Sequence, residues 1–388
     1  IIFDMKVLYD HQAFTMQHFG GVSKCFCELL LHRPVDMDID IAIKQTNNTH
    51  LIDSKLVEGL IHPAMDFQIF AKCFPFIAKH KIYQLLNTLS LIKGSEFLNK
   101  EESIRKIKDN KYDVFHATFF DDYFLPYIGD KPFVITVHDM MPEIFPDYFR
   151  KPNPETKRKK DLCEKAAAVI AVSENTKKDL IRIMDIPEEK IHVVYHGGPK
   201  VTEKFSLPLI DGDYFLYVGQ RDAYKNFHQT LLDFSLFHKR FPQVKLVCTG
   251  KPFTLIENTW IADLGLENNV VFIRPSDLEL LNLYHYAIAF IYPSLYEGFG
   301  MPILEAFSCG CPVLLNKKSC FPEIAGPAAI YFESTEGKSN LFQQMAEIYN
   351  FSSLERKELI EKGLSRAGMF NWAESSIQLM EIYESCIK

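Results

Sequence analysis

The chain has 388 residues, 47% hydrophobic and 24% charged, with a formal net charge of -7. At roughly 150 residues per domain this is enough for two large folded units, and the composition is that of a globular protein. The acidic balance excludes a general nucleic-acid binder, since counterion release needs a basic face, and no run of about 18 apolar residues is present to span a membrane. Nine cysteines is an odd number, and the segment before Met5 is too short for a secretory leader, so reduced thiols and a cytoplasmic location are expected. The spacings Cys25-Phe-Cys27 and Cys309-Gly-Cys311 are wrong for a zinc knuckle and read as small buried side chains.

The first half alternates β-branched runs with helical patterns, the signature of a parallel sheet with crossover helices. Lys6 to Asp10 reads as the first strand and leads through a loop to Gly20-Gly21. Beyond that turn Val22, Phe26, Leu29 and Leu30 share one helical face. Further strands are predicted at Asp38 to Lys44, Val114 to Thr118, Phe133 to Asp139, Val169 to Ser173 and Ile191 to Gly197. Their ends carry His116, His138, Asp139, Ser173 and His196, where ligands gather in open α/β sheets. Between Phe67 and Leu98 an aromatic, lysine-dotted helical stretch interrupts the pattern. It suits a hairpin covering the sheet, or a surface resting on lipid headgroups.

Residues 199–213 have two prolines, a glycine and no periodicity, and read as a linker. Strands then resume at Tyr214 to Gly219, Val244 to Gly250, Asn269 to Ile273, Ala287 to Ser294 and Pro312 to Asn316. Phe227, Leu231, Phe234 and Phe241 form a helical stripe, Asp277 to Tyr286 is a further helix, and Trp372 to Ile387 is the last. The expected organisation is an α/β protein with two Rossmann-like domains facing a cleft. It assigns residues 1–198 to acceptor binding, 214–370 to donor binding, and 371–388 to a helix packing back on the first domain.

Chemistry concentrates between Pro293 and Pro312. A buried strand ends at Ser294, Gly298 and Gly300 permit close backbone approach, and Pro302 suits the first turn of a helix. Backbone N–H groups around Phe299, Gly300, Met301 and Ile303 then face the cleft and suit a diphosphate. A carboxylate beside such a site is tolerated when it faces hydroxyls. Glu305 therefore reads as the ribose acceptor and Glu297 as a sugar-hydroxyl acceptor.

The stretch EGFGMPILEAFSCGCPVL resembles the signature of family 4 of the retaining glycosyltransferases (group 1). The resemblance extends in family order over the Gly20-Gly21 loop, TVHDMMPE, AVSENTKKDL, VYHGG and VGQRDAYKNF. It implies the GT-B fold and a nucleotide-sugar donor that is a substrate, with no cofactor and no metal. Lys225 and Asn226 fall in the loop that carries phosphate contacts in this family. Many relatives have an arginine where this chain has Gln220, and the neighbouring Arg221 either replaces it or leaves Lys225 to act with backbone donors. By the same resemblance His138 is the first-domain histidine near the reacting carbon, and Gly20 and Gly21 let that domain approach the donor.

Transfer then depends on stabilising the leaving diphosphate with Lys225, Arg221 and the helix start, with same-face attack and no covalent carboxylate nucleophile. The branch most similar to this chain makes bacterial surface polysaccharides, so GDP-mannose is the first expectation for the donor, and a glycan or lipid-linked glycan for the acceptor. The basic run Arg150 to Lys160 suits peripheral contact with the inner face of a membrane. Two rivals share these features: a sugar-nucleotide epimerase and a non-catalytic nucleotide-sugar binder. An NAD-dependent dehydrogenase is disfavoured, because no G-x-G-x-x-G follows the first strand.

Overall fold

The structure is a computed structural model that describes residues 5–61, 79, 81–82, 94–149, 153–221, 223–335 and 338–388. The insertion expected between Phe67 and Leu98 lies mostly outside the described residues, and residues 150–152 of the basic run lie wholly outside them.

Two six-stranded sheets form the frame, and every pairing within them is parallel. The first comprises β1 (Met5–Tyr9), β2 (Met37–Ile41), β3 (Val114–Ala117), β4 (Phe133–Val137), β5 (Ala168–Ala171) and β6 (Ile191–Val193), in the order β2-β1-β3-β4-β5-β6. Strands β3, β4 and β5 are buried at every position, which is why they read as unbroken apolar runs: helices cover both faces of the sheet. One face packs Phe115, Ile135 and Val169 against α2 (Pro154–Lys165) and α3 (Glu174–Met184), through Leu162 and Leu180. The other packs Val7 and Tyr9 against α1 (Gly21–Leu31) and the C-terminal helix, through Phe26, Leu379 and Tyr383.

The second sheet comprises β7 (Tyr214–Tyr217), β8 (Lys245–Cys248), β9 (Val270–Phe272), β10 (Phe290–Tyr292), β11 (Val313–Asn316) and β12 (Ile330–Phe332), in the order β12-β11-β10-β7-β8-β9. The stripe Phe227, Leu231 and Phe234 lies on α4 (Phe227–His238) and is buried in one core. The other core joins α5 (Asp277–Tyr286), α6 (Met301–Ser308), α7 (Phe321–Ala325) and α8 (Ser353–Ala367). Reciprocal caps start two of these helices: Ser276 with Glu279, and Ser352 with Glu355.

Residues 199–213 carry no helix or strand. The last helix, α9 (Trp372–Ile387), packs on the first sheet, where Tyr383 shares a hydrogen bond with Tyr9 at 2.7 Å and another with His116 at 2.5 Å. Each sheet reverses its strand order once, between β1 and β3 and between β7 and β10. Loops leaving a sheet at such a point diverge and open a crevice at the carboxyl ends of the strands.

Candidate active site at the cleft between the sheets

At the β7/β10 reversal the two departing loops are tied together. Leu295 donates its amide to the Tyr224 carbonyl at 2.8 Å, and Lys225 Nζ meets Glu297 Oε1 at 2.5 Å. The side chains of that pair are only 18% and 14% exposed. Burial pulls the Lys225 ammonium down, but Glu297, Tyr224 and Asp139 together outweigh it, and the net shift is upward. Beyond Glu297 the chain turns at Gly300, whose φ of 90° lies in the left-handed region that favours glycine, and enters α6 with Pro302 in its first turn.

This turn is pressed against the first sheet. The Gly298 carbonyl accepts from Ser173 Oγ at 2.6 Å and from Thr176 Oγ1 at 3.3 Å, both at the start of α3. A Cβ on Gly298 would run into the His138 carbonyl oxygen. Glu323 of α7 caps the same helix from across the cleft, accepting from the Glu174 and Asn175 amides at 2.7 and 3.0 Å. His138 follows β4. Burial holds its imidazole down at about 4, against the pull of Asp139, so the ring is neutral at pH 7. Its Nε2 is buried without a hydrogen-bond partner.

Glu305, on the inward face of α6, meets Lys24 Nζ of α1 at 2.8 Å. The two helix starts face each other there: a Cβ on Gly21 would stand 2.9 Å from the Met301 methyl carbon. A cavity of about 560 Å³ opens beside the pair, lined by Lys24, Glu305, Met301, Ser308, Gly198 and Trp372 among others. Lys225, Glu297 and His138 do not line it. Among the described residues, Cys25, His138 and His196 form a group whose potential ligand atoms lie within 4.8 Å of one another, with Cys25 Sγ hydrogen-bonded to His196 Nδ1 at 3.3 Å.

Residues 201–363 match the family described as Glycosyl transferases group 1, and residues 79–197 match Glycosyltransferase Family 4. The chain belongs to this glycosyltransferase family. O-antigen chain mannosyltransferase B of Escherichia coli is 25% identical over 320 residues, spanning 76% of this chain and 80% of that protein. The GDP-mannose:cellobiosyl-diphosphopolyprenol alpha-mannosyltransferase of Xanthomonas oryzae is 31% identical over 163 residues, 41% of this chain and 42% of that one. The solved structure of Anabaena Alr3699/HepE in complex with UDP-glucose superimposes with a TM-score of 0.71 at 18% identity, covering 98% of this chain and 100% of that one. The fold is therefore GT-B.

Several side chains of this glycosyltransferase lie elsewhere than the sequence suggested. Arg221 does not face the cleft. Its side chain is 3% exposed, and its guanidinium pairs with Glu257 at 2.8 Å, donates to the carbonyls of Thr249, Lys251 and Pro252, and lies over the Phe253 ring at 4.8 Å. The reason is the pocket it enters: the Phe227 and Phe253 rings and the buried Glu257 satisfy a planar cation better than open solvent does. Asn226 also turns inward, donating to Ser334 Oγ at 3.0 Å and the Pro293 carbonyl at 3.4 Å, and so fastens the Lys225 loop to β10. The Phe299 side chain packs on His196 at 4.7 Å between ring centroids and leaves only its backbone to the cleft. The Ile303 amide is taken by the Gly300 carbonyl at 2.9 Å, so the anion-facing donors narrow to the very start of α6.

Lys24, Thr176 and Glu323 were missed, whereas Ser173 is among the strand-end positions read from the sequence. For Lys24 a signal existed: a cation in the first turn of a helix is opposed by the helix dipole, so it calls for an acid from outside the helix.

Proposed function

We propose that this glycosyltransferase transfers mannose from GDP-mannose to a lipid-linked glycan in surface-polysaccharide synthesis, with retention of anomeric configuration. The observation that carries the reading is that Glu297 and Glu305, one before and one after the glycine turn and helix start suited to a diphosphate, each lie against a lysine. The two mannosyltransferase relatives support the sugar, and the GDP-mannose in the name of the Xanthomonas enzyme supports the GDP carrier.

In this reading Glu305 accepts from the ribose diol and Glu297 from sugar hydroxyls. Lys225 and the first amides of α6 stabilise the charge that develops on the leaving diphosphate. His138, neutral and with an unused buried nitrogen, serves the transferred sugar from the opposite wall. No metal or further cofactor enters this scheme. The enzyme works in the cytoplasm against the inner face of the membrane. The described cysteines Cys25, Cys27, Cys163, Cys248, Cys309, Cys311, Cys320 and Cys386 are all unpaired, which fits a reducing compartment. Lys157 and Lys160 would meet the headgroups, whereas Lys159 is buried and plays no part there. Among the described residues no helix is long and apolar enough to cross a membrane.

Calorimetric titration of the wild type and Glu305→Ala with GDP-mannose, UDP-glucose and ADP-glucose tests the donor site. Tight binding of GDP-mannose alone, lost in Glu305→Ala, is expected; equal binding by the variant would remove Glu305 from the donor site. Binding confined to the uridine or adenosine sugar would remove GDP-mannose.

A further inference from the structure

We propose that Lys24 is the first-sheet half's contact to the nucleotide: an ammonium that neutralises Glu305 and closes the cleft onto the donor's ribose and diphosphate. This rests on the reading of Glu305 as the ribose acceptor.

The two glutamates of the motif are treated alike, each with its own lysine within hydrogen-bonding distance. Their partners differ in origin. Lys225 comes from the same half of the molecule as Glu297, but Lys24 reaches Glu305 from α1, on the far side of the cleft. Helix stability does not account for Lys24, because a cation in the first turn opposes the dipole. An ordinary surface pair does not account for it either, since the Glu305 side chain is only 17% exposed.

A carboxylate facing a diphosphate repels it, and a paired ammonium removes that repulsion while leaving oxygen lone pairs for hydroxyls. Glu305 Oε1 receives Lys24, and among the described residues Oε2 has only the Tyr284 hydroxyl at 3.5 Å, so acceptor capacity remains. Burial lowers the Lys24 ammonium, but Glu305, Glu28 and Asp277 together raise it, so it stays charged at neutral pH. The adjoining cavity of about 560 Å³ gives a ligand room at the pair itself.

The rival reading is a salt bridge that holds the empty cleft shut and must break before the donor enters. The two readings predict opposite signs. If Lys24 contacts the nucleotide, Lys24→Met weakens GDP and GDP-mannose binding by about 10- to 100-fold, the worth of one charge-assisted hydrogen bond, and Lys24→Arg restores most of it. The Kd for GDP should also respond less to added salt in Lys24→Met. If Lys24 only blocks the site, Lys24→Met binds GDP as tightly as the wild type or more tightly, and the proposal is overturned. Calorimetry with GDP, UDP and GDP-mannose on wild type, Lys24→Met, Lys24→Gln and Lys24→Arg decides it, with thermal unfolding to confirm that each variant is folded. Failure of the underlying reading shows separately: Glu305→Ala would then bind GDP like the wild type, whatever the Lys24 variants do.

Discussion

Replacing Gly298 with alanine should uncouple donor binding from transfer. The added Cβ would strike the His138 carbonyl oxygen, lie 2.8 Å from its carbon and stand 3.2 Å from Asp139 Cα. All three atoms are backbone, so no side-chain rotation relieves the clash and the turn must withdraw by about an ångström. That lengthens the Ser173–Gly298 hydrogen bond from 2.6 Å beyond useful range and breaks the weaker one from Thr176 at 3.3 Å. Two hydrogen bonds at about 1 kcal/mol each, with some lost packing, give about 2–3 kcal/mol against the docked arrangement. The equivalent loss in kcat is roughly 30- to 150-fold. Donor affinity should fall less than kcat, because Lys225, Glu297 and the start of α6 keep their geometry within the second half and the Lys24 contact across the cleft is weakened but not removed. Steady-state kinetics and calorimetry on Gly298→Ala measure the two quantities. A kcat within about twofold of wild type would refute the claim that this turn must seat against His138.

Two further outcomes are expected. Lys159 and Glu143 form an ion pair with side chains 1% and 2% exposed, and Lys159 also donates to the Asp139 carbonyl at 3.2 Å. Lys159→Met should therefore cost about 3–5 kcal/mol in denaturant unfolding, while Lys159→Met with Glu143→Leu should recover most of it; equal stability of the single and double variants would contradict this. Stability should also fall steeply in acid. Burial lowers His11 to about 4, His116 to about 3 and His138 to about 4, so near pH 5 the unfolded chain binds three more protons than the native one at these sites. The stabilisation is complete above the unfolded value of 6.5 and is lost as pH falls through the folded values. Asp10 opposes this: burial raises it to about 6, so the native state takes up one proton early. The net of about two protons gives roughly 3 kcal/mol per pH unit near pH 5, and identical urea midpoints at pH 5 and 7 would sink the argument.

Much of the frame was legible because a parallel sheet buried on both faces writes itself as apolar runs, and β3, β4, β5 and β11 lie where such runs were read. Strand ends were overrun. The predicted strand through Lys44 stops pairing at Ile41, although Ala42 and Ile43 remain buried, since burial continues into the loop after the ladder ends. The three-residue edge strand Ile330–Phe332 went unread because so short a run has no measurable period. Helix α8 was also missed, although Ser352 and Glu355 spell its capping box. Within the site, the glycines, Pro302 and the two glutamates could be placed because their constraints are local. The direction of Arg221 could not: it is decided by Phe253 and Glu257, more than thirty residues away.

The same distinction bears on how the donor's charge would be met. With Arg221 committed to Glu257 and three carbonyls, the loop after β7 offers the cleft one ammonium, and Glu297 already neutralises it. The second half by itself therefore presents Glu297, Lys225 and Glu305, a net negative set, to a ligand that is itself an anion. Backbone amides at the start of α6 offset part of that, but a helix terminus is worth only about half a charge. Electroneutrality needs one more cation, and Lys24 supplies it only when the two halves are together. On the proposed reading, attraction of the diphosphate and closure of the cleft would be one event, with the energy of binding a remote phosphate holding Gly298 in its seat against His138.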